Sequence, residues 1–215
     1  MTAAHRGRFI TLEGIEGSGK STLVRALGDW LRSEGLTVHA TREPGGTPLA
    51  ESIRQLVLAR VAEPMPPAAE LLLMFAARAV HVENLIRPAL ARGEWILCDR
   101  FTDASLAYQG AGRGIDPAQI RALSTVAHPG LAPDLTLLLD LPPAEGLTRA
   151  RGRGEGGDRF EDETLAFFDR VRAGYLDLAR VEAGRFVVLD AVQPAAAVLD
   201  HARAALAGLL PRNGA

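Results

Sequence analysis

The stretch Arg8 to Thr22, RFITLEGIEGSGKST, constrains this chain more than any other. A short apolar run, Phe9-Ile10-Thr11-Leu12, leads into Gly14-Ile15-Glu16-Gly17-Ser18-Gly19-Lys20-Ser21, and a helix-like segment from Thr22 to Glu34 follows, closed by Gly35. The middle part fits G-x-x-x-x-G-K-[ST], and strand, glycine loop, helix is the context that pattern needs. Glycines let the backbone turn its N–H groups inward as an anion nest. The helix N-terminus adds the positive end of its dipole. Gly14 to Thr22 are therefore the candidate phosphate cradle, with Lys20 reaching the outer phosphates and the Ser21 hydroxyl on Mg²⁺. The chain has 24 basic residues, and Lys20 alone is lysine. Arginine is used elsewhere, and the compact point charge stands at the one position where the motif wants it.

The rest of the composition narrows the frame. The 215 residues suffice for one α/β domain with a large core. A net charge of −2 gives no electrostatic reason to expect a nucleic-acid or membrane partner. The single cysteine, Cys98, excludes an internal disulfide, suits a reducing cytosol and lies in an apolar run that reads as core. No apolar run reaches the length of a membrane span, and Met1 to Arg8 is too short and polar for a signal peptide.

Five short apolar runs read as buried strands: Phe9–Leu12, Thr37–Ala40, Trp95–Cys98, Thr136–Leu139 and Phe186–Leu189. Helix-like stretches between them predict a parallel sheet of βαβ units. A long helix is expected from about Ala68 to Arg92, kinked or divided at Pro88, another from Pro117 to His128, and a last one in Pro194 to Leu210.

Ligands of open α/β sheets sit beyond the carboxyl ends of the strands. There the sequence places Glu13 and the glycine loop, then Thr41-Arg42-Glu43-Pro44-Gly45-Gly46-Thr47, Asp99-Arg100-Phe101, Asp140, and Asp190-Ala191. Asp99, an acid closing a buried strand beside a phosphate loop, is placed to hold Mg²⁺ directly or through water, and Arg100 can grip phosphate bidentately. Thr148 to Arg159 concentrates four arginines and four glycines, the composition of a lid over phosphates between about residues 148 and 160. Phe75 and Arg78 share a helix face, which suits a nucleobase or a core stripe. Tyr108 to Gly114 is read as a glycine-rich loop whose Gln109 could meet a base edge.

Together these residues resemble the bacterial thymidylate kinases. The markers are FITLEGIEGSGKST, TREPGGTPLAE, LLLMFAAR, CDRFTDASLAYQGAGRGID and RARGRGEGGDRFE, spread from Phe9 to about Ala191. The resemblance implies a three-layer α/β/α P-loop kinase fold, a five-stranded parallel sheet of order 2-3-1-4-5 and a mobile lid. It implies transfer of the γ-phosphoryl of ATP to dTMP with Mg²⁺, in a cytosolic homodimer. Carried over by position, Gly14 to Thr22 with Lys20 would bind ATP, and Glu13 would hold the 3′-hydroxyl of the sugar. Glu43, Arg54, Asp99 and Arg100 would surround the acceptor phosphate and metal. Arg78, Ser105 and Gln109 would contact thymine, and Tyr108 would crowd the 2′ position. The loop has no basic residue between Ile15 and Ser18, so the resemblance is to the class whose catalytic arginine comes from the lid, here Arg151 or Arg153. The family's stacking aromatic commonly stands where this chain has Met74, with Phe75 one place off.

Loop and lid alone would also permit a P-loop kinase acting on another nucleoside monophosphate or a small metabolite. A GTP switch that reads guanine with Asn-Lys-x-Asp is excluded, because Lys20 is the only lysine.

Overall fold

The computed structural model describes residues 7–60, 62–151, 159–160 and 162–211. Its elements run β1 (Phe9–Glu13), α1 (Lys20–Ser33), β2 (Val38–Arg42), α2 (Pro48–Leu58), α3 (Pro67–His81), a π-helical turn (Val82–Ile86) and α4 (Arg87–Ala91). They continue with β3 (Trp95–Asp99), α5 (Thr102–Ser105), a second π-helical stretch (Leu106–Gly112), α6 (Pro117–Ala127), β4 (Leu135–Asp140), α7 (Pro143–Arg151), α8 (Leu165–Val181), β5 (Phe186–Asp190) and α9 (Ala195–Leu206). All five strands are parallel, in the order β2-β3-β1-β4-β5.

Both faces of the sheet are covered, and the strand sequences show why. Ile10 and Leu12 of β1 join Trp95 and Leu97 of β3 in one apolar cluster, while Phe9, Ile96 and Cys98 point into a second. Successive residues of a strand face opposite ways, so a strand buried on both sides must be apolar throughout. β1 is buried along its whole length, whereas the edge strand β2 alternates with exposed positions.

The register brings the strands' carboxyl ends level. Leu12 pairs with Asp99, Arg42 with Asp99, and Asp140 with Asp190. The expected strands are therefore all present, each running one or two residues further toward the site than its apolar core.

One expectation is refined and one changes. The long helix after Pro66 is interrupted by a π turn just before Pro88, where the N–H of Arg87 bonds to the carbonyl of Val82. Proline cannot donate to the preceding turn, and the widened turn takes up the mismatch. The glycine-rich run at Tyr108 to Gly112 is helical rather than a loop. Its glycines serve contact: a Cβ on Gly112 would stand 2.6 Å from the Phe167 ring of α8. Burial against α8 outweighs the weak helix propensity of glycine.

Candidate active site

Lys20 opens α1, and its buried ammonium donates to the carbonyls of Gly14 (3.0 Å) and Ile15 (2.8 Å) and to Ser18 Oγ (3.4 Å). The loop backbone thus curls around the lysine head. Gly14, Gly17 and Gly19 all have positive φ, as the curl requires. Burial, followed by the neighbouring Arg100, lowers the Lys20 pKa to about 8. Gly17 also touches the backbone of α7: a Cβ there would lie 2.0 Å from the carbonyl oxygen of Gly146. The helix that leads into the arginine-rich segment is therefore docked on the phosphate loop.

A cavity of about 230 Å³ opens over this loop. One wall holds Glu16, Gly17, Gly19, Lys20 and Ser21, and the others bring Glu43, Arg54, Arg78, Asp99, Arg100, Ser105, Tyr108 and Gln109 from separate segments. On its floor Ser21 Oγ donates to Asp99 Oδ2 at 3.1 Å. The second oxygen, Asp99 Oδ1, is buried with no hydrogen-bond partner among the described residues. A hydroxyl beside a carboxylate with a spare oxygen fits a hard divalent cation.

Arg100 adopts φ 71°, a left-handed conformation rare outside glycine. It is held there by donation to the Gly14 carbonyl (2.9 Å) and Glu16 Oε1 (2.7 Å) and by stacking over Tyr108. Strain of that kind gathers at functional sites. Glu16 Oε2 also accepts the Tyr108 hydroxyl at 2.6 Å.

Arg78 is buried and donates to Glu43 Oε2 (2.6 Å), Ser105 Oγ (3.1 Å) and the Phe101 carbonyl (3.0 Å). Glu43 Oε1 meets His81 Nδ1 at 3.0 Å. Burial would raise the Glu43 pKa, but Arg78 and His81 outweigh it and hold the carboxyl below its usual range. Glu43, His81 and Cys98 offer ligand atoms within 4.8 Å of one another. Both His81 nitrogens are engaged, however, Nε2 with Thr41 Oγ1 at 2.8 Å, so the group supports Arg78 structurally. Arg54 donates to the Pro44 carbonyl at 2.8 Å, beyond a cis Glu43–Pro44 bond.

Two sequence expectations are displaced from the cavity lining. Glu13 is fully buried and outside the cavity lining; its oxygens accept from the Phe101 N–H and the Tyr175 hydroxyl, both at 2.7 Å. Burial and the nearby Asp103 push its pKa up to about 8. The carboxylate in the cavity wall is Glu16. Phe75 is also outside the lining: it is buried in a cluster with Leu71 and Leu106, with Arg78 above its ring at 4.5 Å, and Met74 faces the cavity instead. Of the expected lid, Arg149 lies in α7 and donates to the Ala191 carbonyl and Glu145, while Arg151 ends that helix, exposed. Arg153 lies outside the described residues. At the far end Arg159 donates to Glu70 Oε2 (2.7 Å) and the Val57 carbonyl.

Glu70 is the residue sequence reasoning missed. It is buried in the first turn of α3 and receives Gln109, Arg113 and Arg159. A buried acid in an apolar segment was the available signal, since buried carboxylates need partners.

The thymidylate kinase family model matches residues 12–202. A thymidylate kinase of Alkalilimnicola ehrlichii is 54% identical over 207 residues, covering 96% of this chain and 95% of that one. One of Pseudomonas fluorescens is 56% identical over 205 residues, 95% of each. The crystal structure of thymidylate kinase from Ehrlichia chaffeensis superposes with a TM-score of 0.74 at 33% identity, covering 93% of this chain and 98% of that one. With a phosphate loop and an arginine-lined wall around one cavity, and with relatives matched over nearly their full length, the chain belongs to the thymidylate kinase family.

Proposed function

We propose that this chain transfers the γ-phosphoryl group of ATP to dTMP, giving dTDP. The observation that carries the reading is the single cavity in which the phosphate loop faces Arg54, Arg78 and Arg100. Gly14 to Thr22 and Lys20 hold the donor phosphates. Arg54 and Arg100 hold the acceptor phosphate. That phosphate is largely dianionic near neutral pH, its second pKa being about 6, so its oxygen attacks without a general base. The protein's task is alignment and charge neutralisation.

Ser21 and Asp99 are the residues to hold Mg²⁺. The buried, unpartnered Asp99 Oδ1 beside a hydroxyl supports that assignment. Bound there, the ion would draw negative charge from the outer phosphates. Glu16, in place of Glu13, is the carboxylate to meet the sugar's 3′-hydroxyl, and Tyr108 beside it leaves no room for a 2′-hydroxyl. Arg78, Ser105 and Gln109 read thymine, with Met74 covering the base.

No cation lies within the loop between Ile15 and Ser18. The charge needed at the transferring phosphoryl therefore comes from Arg151 or Arg153, on a lid of about residues 148–160. We assign one domain to the whole chain and a homodimer to the working enzyme. No helix among the described residues is long and apolar enough to cross a membrane.

A coupled ADP-release assay across nucleoside monophosphates tests the reading. dTMP should be turned over best, and equal or better turnover of UMP or CMP would overturn it.

A further inference from the structure

Glu70 does not line the cavity, yet it touches a residue that does. Its Oε1 receives Gln109 Nε2 at 2.7 Å, and its Oε2 receives Arg159 at 2.7 Å and Arg113 at 3.2 Å. Arg113 is itself held by Glu163 at 2.6 Å. Both Glu70 and Gln109 are almost wholly buried, at 1% exposure each.

A carboxylate facing two guanidinium groups is an acceptor on both oxygens. An amide has two chemically different ends, and only its NH₂ can satisfy such a partner. Glu70 therefore decides which way the Gln109 amide points: the nitrogen goes to Glu70, and the carbonyl oxygen is left for the cavity. Turned the other way, two acceptor oxygens would meet in a buried site, at the cost of an unsatisfied pair.

We propose that Glu70 is a specificity-positioning residue: by fixing the polarity of Gln109, it makes the base-reading wall an acceptor. An acceptor there selects a base whose ring nitrogen carries a hydrogen, the imide N–H of a thymine-type ring. It rejects a ring nitrogen that presents a lone pair, as in cytosine. Arg78, donating from the same wall, suits a carbonyl beside that N–H. The inference rests on the reading of Gln109 as base-facing.

The test is kcat and KM for dTMP and dCMP in the wild type, Glu70→Gln and Gln109→Ala. In Glu70→Gln the new amide can accept or donate, so Gln109 is free to turn. The dTMP-to-dCMP ratio of kcat/KM should narrow by at least about tenfold, through KM rather than kcat, because a polar mismatch in a buried site is what normally separates such pairs. A ratio equal to wild type in a folded Glu70→Gln enzyme would overturn the proposal, leaving Glu70 a structural ion-pair residue. Should that variant not fold, Glu70→Asp decides. It keeps the charge facing Arg113 and Arg159 but draws the oxygen back from Gln109, so a narrowed ratio supports the proposal and a wild-type ratio overturns it. Gln109→Ala separates the two layers: if it leaves the ratio unchanged, the base-facing reading of Gln109 itself fails.

Discussion

The two walls of the cavity hold their positive charge in opposite ways. On the proposed donor side Lys20 is buried against two backbone carbonyls and a serine hydroxyl. On the proposed acceptor side Arg78 and Arg100 are each paired with a carboxylate, Glu43 and Glu16. A buried cation without a matched anion is a cost to the fold, and the depressed pKa of Lys20 records it. Buried pairs, by contrast, are interlocked: removing one member strands the other. The loop's charge is thus kept ready for a ligand, whereas the acceptor wall's charge is part of the architecture.

Separating activity from stability is the sharpest way to break that comparison. Lys20→Ala should lower kcat by about a thousandfold or more, the scale lost when a charge-stabilising group is removed from a reacting centre. Its melting temperature should stay the same or rise, because the fold loses an unmatched buried charge. Near-normal turnover would remove Lys20 from the donor site, and a collapsed melting temperature would show that the loop charge is structural after all.

Glu43→Ala should do the reverse on the other wall. It leaves the Arg78 guanidinium buried with its main anion gone, a loss of about 3–5 kcal/mol in unfolding free energy. Denaturant titration measures it. A loss comparable to that of an exposed pair, below about 1 kcal/mol, would mean that the acceptor wall is not pre-assembled by its own ion pairs.

The same contrast explains what could be read from the sequence. The donor site is one contiguous segment whose partners are its own backbone, so Gly14 to Ser21 announced both the loop and its surroundings. The strands were equally legible, because burial on both faces leaves an unbroken apolar run. The acceptor wall gathers residues from the loop after β2, from α2, α3, the end of β3 and α5, and from the π-helical stretch after α5. Which of two neighbours faces the cavity there depends on helix phase and packing. Of Met74 and Phe75, between which the sequence left the choice open, Met74 faces the cavity because Phe75 is drawn into the cluster with Leu71, Leu106 and Ile120. Glu16 rather than Glu13 lines the cavity because Glu13, still on the strand, is sealed beneath Phe101 and Tyr175, while Glu16 has left it for the loop. Glu70 was invisible as a hub because its partners lie about 39 to 89 positions away along the chain.

Glu13 supplies the smallest and most specific test, since it belongs to neither pattern. Among the described residues it has no cationic partner at its oxygens and is satisfied instead by an N–H and a phenol hydroxyl. Its folded pKa, about 8, lies above the ordinary value of 4.5. Between those values the folded state binds the extra proton, so stability through this group is full at low pH and falls as pH rises toward 8. Glu13→Gln keeps the shape but cannot titrate: its oxygen can still accept the Phe101 N–H, and its NH₂ can donate to a turned Tyr175 hydroxyl. Thermal unfolding from pH 5 to pH 8 should therefore show the wild type losing stability relative to Glu13→Gln, by on the order of a few kcal/mol across the window. Parallel curves for the two proteins would place an ionised carboxylate at Glu13, returning it to the acids that meet a substrate or metal. A converging pair, with the variant gaining on the wild type as pH rises, would leave Glu16 as the carboxylate available to the acceptor's sugar.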